Sequence, residues 1–264
     1  MRNFIFAISL SAILLMVACS GSDSQKLPMS QATAQRQVPL QATGSSPRCE
    51  VTLQVSFLSG QDQVAKAINS TVIDRLFFFQ GLTMQQAVDS FANAYCRSYV
   101  DNLRPLFRDD QATTARHAWY EYRYKLTTET RQERQGRLTY LVHLDYYEGG
   151  AHGISQLMAM NFDTASGSLL TLDDILAEGY EQSLNELLLK ALMEKTGAKS
   201  EEQLHEQGYL NATTIFAPEN FILGSDDITF IYNAYEIAPY DKGQTQLSID
   251  LGQLKQLLKD DGNH

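Results

Sequence analysis

The stretch LTYLVHLDYYEGGAHGISQLMAMNFDTASGSLLTLDDIL, Leu138–Leu176, decides the fold. Its first ten residues alternate. Leu138, Tyr140, Val142, Leu144 and Tyr146 take one face of a strand, and Leu141, His143, Asp145 and Tyr147 take the other. Gly149-Gly150 supply backbone angles that side chains with a Cβ resist, so the chain turns there. Ile154–Phe162 reads as a returning strand, and Asp163-Thr-Ala-Ser-Gly167 as hairpin punctuation. In Thr171-Leu-Asp-Asp174 the threonine caps a helix, and Asp174 sits in its first turn, where negative charge is favoured. Capping explains the aspartate pair better than metal binding does.

Upstream, Glu50–Leu58 alternates as a half-buried strand, and Gln61–Phe78 shifts to helical spacing. Phe77-Phe78-Phe79 reads as core. Thr83 and Gln86 form a capping box at the start of a helix that Pro105 is expected to end. Ala115–Glu129 reads as a long strand with Tyr120, Tyr122, Tyr124 and Leu126 on one face. Such a tyrosine row is more often the amphipathic side of a sheet than a sugar-stacking platform. Gln135-Gly136 suits a hairpin turn. Downstream lie two helices, Gly179–Thr196 and Ser200–Gln207, then strands Asp226–Tyr232 and Thr245–Leu251, and a final helix Gln253–Lys259. This order predicts an α+β fold of mainly antiparallel sheets with packed helices. Two consecutive subdomains are expected, over residues 49–150 and 151–262.

The chain has 264 residues, an apolar share of 44% and a formal charge of -10. That composition supports a core, and an acidic protein gains nothing from phosphate counterion release, which excludes nucleic acid as a partner. Residues 1–18 read as a signal peptide, with Arg2 before an apolar run too short to span a bilayer comfortably. The run ends in Leu15-Met16-Val17-Ala18-Cys19, which resembles a bacterial lipobox with Met16 in place of the usual leucine. That resemblance implies a lipid on Cys19 and a membrane anchor. Ser20, where aspartate would signal retention, favours the outer membrane. The alternatives are an ordinary signal peptide cut after Ala18 and an uncleaved anchor. Residues 19–48 are rich in Ser, Gln, Ala and Thr and read as a flexible tether. Cys49 and Cys96 remain. An oxidising compartment favours one disulfide between them over two buried free thiols, since Cys49 opens a strand and Cys96 lies late in a helix able to pack on it.

Three passages, Tyr146–His152, Asn161–Asp163 with Leu170–Leu176, and Ile228–Tyr240, resemble the RsiV-like extracytoplasmic family (domain of unknown function 3298, with a 4163-like N-terminal part). The resemblance implies an α+β unit used for binding or sensing in the cell envelope, with no activity of its own. It occurs beside a peptidoglycan deacetylase, in anti-sigma factors and in free-standing lipoproteins, and one type binds lysozyme. The expected partners are a basic, lysozyme-like envelope protein or peptidoglycan glycan.

The candidate contact surface is Tyr147, Glu148, His152, Tyr235, Glu236 and Tyr240, on two loops expected at one end of the sheet. The loop Tyr235–Tyr240 also has a structural reading, with Pro239 stiffening a crossover and the tyrosines anchoring it. His143, Asp145, Glu148 and His152 are suitable ligand types for zinc, but their spacing matches no zinc motif, so no metal, cofactor or catalytic residue is assigned. The alternative is a cell-wall hydrolase with Glu148 and Glu236 flanking a glycosidic bond, which requires the two to be close in space.

Overall fold

The computed structural model describes residues 27–42, 46–110 and 118–259. The signal-like run and Cys19 lie outside them. Strand β2 (Arg48–Leu58) is the spine of the first unit, with Cys49, Val51, Leu53 and Val55 fully buried on one face. It pairs antiparallel with β1 (Met29–Pro39) and parallel with β3 (Tyr122–Arg131). Parallel pairing needs a crossover, supplied by α1 (Gln63–Phe77) and α2 (Met84–Asp110). β4 (Arg137–Glu148), β5 (Ile154–Asp163) and the short β6 (Leu169–Leu170) then extend the sheet antiparallel, giving the order β1-β2-β3-β4-β5-β6.

The tyrosine row is the helix-facing side of this sheet. Tyr124 meets Phe91 at 5.0 Å and Tyr95 at 5.1 Å, and Tyr122 meets Tyr99 at 5.1 Å. Tyr120 falls outside the strand, in a short turn where it packs on Phe107. That contact anchors the last turn of α2, which runs through Pro105 to Asp110 instead of ending there. The capping box forms as read: the Thr83 N–H donates to Gln86 Oε1 at 2.9 Å, and the Gln86 N–H donates to Thr83 Oγ1 at 3.3 Å. The phenylalanine triplet divides. Phe77 is core, while Phe78 caps α1 in a left-handed conformation with 87% of its surface exposed.

The second unit holds α3 (Leu172–Ile175), α4 (Glu181–Thr196), α5 (Glu201–Glu206), a sheet β7 (Phe221–Leu223), β8 (Asp227–Tyr232) and β9 (Thr245–Asp250), and α6 (Leu251–Leu254). Leu184, Leu188 and Leu192, all fully buried, carry α4 onto its core. The aspartate pair serves the cap and its surroundings. Asp174 accepts from the Thr171 N–H and hydroxyl at 2.8 Å, and Asp173 accepts from the Tyr180 hydroxyl at 3.2 Å. The α+β class with mainly antiparallel sheets is therefore what the chain adopts.

Two expected boundaries move. Part of the expected tether, Met29–Pro39, is an edge strand whose inward residues include Ala32 and Ala34, both buried. At Thr33 its outward edge is covered: Gln85 on α2 accepts from the Thr33 N–H at 3.3 Å and donates to the Thr33 carbonyl at 3.0 Å, as a neighbouring strand would. The boundary expected at residue 150 lies instead after β6, because β5 and β6 belong to the first sheet.

Asparagine side chains join the units along β5, which β6 pairs only at Asn161 and Phe162. Asn233 accepts from the Leu157 N–H at 2.9 Å and donates back to the Leu157 carbonyl at 3.1 Å. Asn220 accepts from the Ala159 N–H at 2.8 Å and also donates to Leu157. Asn161 reciprocates, donating to the Phe221 carbonyl at 2.7 Å and accepting from the Leu223 N–H at 3.2 Å. Beside this network Leu141, Leu157, Ala159 and Ile231 form a small apolar seam. An open strand edge is thus closed by amides that imitate backbone.

Candidate functional site

The two loops meet at one corner of the molecule. The first leaves β4 through Gly149 and Gly150, at φ 81° and 90°. A Cβ at Gly149 would overlap the Trp119 carbonyl oxygen, so the turn closes only with glycine there. The second loop leaves β8 at Asn233 and reaches Tyr240, whose hydroxyl donates to the Gly153 carbonyl at 2.9 Å. This brings the His152 ring onto Tyr240, stacked at 3.8 Å between centroids and 17° between planes. The Tyr235 hydroxyl lies 3.5 Å from His152 Nε2, and its ring centroid 5.8 Å from that of Tyr240.

Tyr235 is the unusual member. It sits at φ 75° with 58% of its surface exposed. A bulky residue resists that conformation. Here it is held by a bond from the Tyr235 N–H to the Ala238 carbonyl and one from the Glu236 N–H to the Asn233 carbonyl. Glu236 itself accepts from the Asn233 N–H at 3.0 Å, so its carboxylate stabilises the loop. Burial pushes that carboxyl above its ordinary value, against the bonds from Asn233.

Tyr147 stands beside the glycine turn. Its hydroxyl is 3.1 Å from the Ala118 carbonyl and 2.9 Å from the Gly150 carbonyl, and Arg123 lies over its ring. Sequence reasoning missed Trp119, 62% exposed on the far side of this turn. The available signal was that it is the only tryptophan in the chain.

Glu148 is not part of the corner. Strand alternation turns it to the helix side, where it accepts from the Tyr95 hydroxyl at 2.7 Å. Burial, and then this bond, push the Tyr95 hydroxyl above its ordinary value. His143 and Asp145 occupy the opposite face, where Asp145 accepts from the Ser155 hydroxyl. The four residues His143, Asp145, Glu148 and His152 therefore do not converge, and no cluster suited to a metal occurs among the described residues. Glu236 lines clefts of about 490 and 290 Å³, neither of which includes Glu148.

Cys49 and Cys96 are both buried thiols, their sulfurs in hydrogen-bond contact at 3.4 Å and not joined by a disulfide. Helix α2 thus packs on β2 where the sequence placed it.

Residues 173–252, most of the second unit, match the model of a family described as a protein of unknown function (DUF3298). Among solved structures, a DUF3298 family member from Bacteroides fragilis superposes with a TM-score of 0.83 at 28% identity, covering 89% of this chain and 94% of that one. A DUF3298 family protein from Pseudomonas aeruginosa shares the fold, with a TM-score of 0.64 at 17% identity, covering 90% of this chain and 96% of that one. The chain is also 24% identical over 185 residues to the peptidoglycan-N-acetylmuramic acid deacetylase PdaC of Bacillus subtilis. That match takes in 69% of this chain and 38% of PdaC, so the chain spans well under half of that relative's length. Residues 173–252, in the C-terminal unit, thus carry the match to the DUF3298 domain, and the chain as a whole shares the fold of these two solved DUF3298 family proteins.

Proposed function

We propose that this protein is a non-catalytic binding module of the cell envelope, with the corner of His152, Tyr235 and Tyr240 as its contact surface and Tyr147 at its margin. The observation that carries the reading is Tyr235, a large ring kept exposed in a costly backbone conformation beside a stacked His152–Tyr240 pair. Strain of this kind concentrates where a surface is shaped for contact. The partial coverage of a relative named for acting on peptidoglycan is consistent with a shared accessory module. The partner is a basic envelope protein, favoured by the charge of -10, or a glycan.

The test is retention on purified peptidoglycan sacculi and on immobilised lysozyme. A His152→Ala, Tyr235→Ala double variant is expected to lose at least about tenfold in affinity for whichever matrix retains the parent. Equal retention would reject this surface, and turnover of peptidoglycan by the purified protein would favour the hydrolase reading.

The proposed address is a lipid anchor at Cys19 in the outer membrane. Cys19→Ala is expected to move the mature protein out of the detergent phase; unchanged partitioning would remove the anchor from the account. In that oxidising setting the neighbouring sulfurs of Cys49 and Cys96 are expected to join. Envelope-derived protein, unfolded without reductant, should then resist alkylation at both positions, and full labelling would rule the bond out.

A further inference from the structure

Next to the corner, the exposed end of the β4–β5 face, at His143, Asp145 and Ser155, and the segment Tyr240–Gln246 line a groove of about 680 Å³. That lies within the range of small-ligand sites. Its charged groups balance: Arg131 and Lys242 against Asp145 and Asp241. A polyanion gains no net attraction from such a lining, and an apolar ligand would strip water from it without replacing the lost hydrogen bonds. Amides supply much of the rest. Gln246 Nε2 donates to Gln244 Oε1 at 2.8 Å, and Gln244 Nε2 in turn lies 3.4 Å from Asn233 Oδ1. The junction asparagine thus orients a row of two amides along the groove wall, while both glutamines remain exposed. Tyr240 belongs to the groove and to the aromatic corner alike.

We infer that this groove binds a neutral oligosaccharide, its hydroxyls bonded by Gln244 and Gln246 and one sugar ring packed against the Tyr235–Tyr240 edge. Each hydroxyl both donates and accepts, as a mixed amide and carboxylate lining requires. A pyranose presents C–H groups on one face, which suits an aromatic edge. The wall is already ordered before binding, so little conformational freedom is lost. This inference rests on the corner being a contact surface and adds the chemical class of what it contacts.

The experiment is calorimetric titration of the full-length mature protein with two neutral tetrasaccharides, one of N-acetylglucosamine and one of β-linked glucose, and with a carboxylated tetrasaccharide for comparison. At least one neutral sugar is expected to bind. A Gln244→Ala, Gln246→Ala variant should weaken it by at least about tenfold at unchanged thermal stability. Tyr235→Ala should weaken it too. Equal binding by the glutamine variant, or tighter binding of the carboxylated sugar, overturns the inference. If neither neutral sugar binds while sacculi or lysozyme still retain the protein through His152 and Tyr235, the groove assignment fails and the binding-module reading stands. If that retention is also lost, both fail.

Discussion

Asn161→Ala is expected to destabilise the protein by on the order of 3–5 kcal/mol, because it strands several buried groups together. Asn161 is 1% exposed. Its amide meets the Phe221 carbonyl and the Leu223 N–H, and its Oδ1 accepts from the Thr139 hydroxyl at 2.9 Å. Truncation leaves all three without this partner, in a place where water does not readily replace it. Asn161→Asp preserves shape but removes the donor to Phe221 and buries a charge, so it should not rescue. Urea unfolding measures the loss. A cost below about 1 kcal/mol would mean that the apolar seam, and not the amide network, joins the units.

Gly149→Ala comes next, with an expected loss of about 2–4 kcal/mol from strain and overlap combined. The neighbouring glycine is the control. Both have positive φ, but a Cβ at Gly150 meets nothing within 4 Å, whereas one at Gly149 overlaps the Trp119 carbonyl. Gly150→Ala should therefore cost only about 1 kcal/mol, the conformational part alone. Because Trp119 is the only tryptophan, its fluorescence reports directly on this turn. Equal losses in the two variants would show that the packing against Trp119 is loose.

Local patterning made much of this fold readable. Alternation through Leu138–Tyr147 put His143 and Asp145 on the face away from the helices, and the same alternation carried one residue further turns Glu148 the other way. The capping box at Thr83, the helix start at Thr171 with Asp174 in its first turn, and the glycine turn are short-range signals, and all three form. Strand β1 was hidden because its buried positions include alanines, Ala32 and Ala34, too small to raise the hydrophobic signal above that of a tether. The unit boundary was misplaced because Gly149-Gly150 resembles a domain break, although it only turns one strand of a sheet into the next.

The junction was unreadable for a different reason. Asn220 and Asn233 act on Leu157 and Ala159 from 61 to 76 residues away, and a side-chain amide serving a distant strand edge has no local period. Two of the passages that carried the family resemblance, around Asn161 and Asn233, nevertheless contain these joining residues. The corner itself was partly legible. Tyr235, Tyr240 and His152 meet as their loops suggested, while Glu148 and Glu236 are occupied in holding Tyr95 and the Asn233 turn.

Radical footprinting of the protein bound to peptidoglycan sacculi, or to lysozyme if that is the matrix that retains it, tests the contact surface most directly. His152, Tyr235 and Tyr240 should gain protection on binding, while Phe78 and Leu106, exposed on the helical side, should react as in the free protein. Protection centred on Phe78 with the corner unchanged would contradict the account.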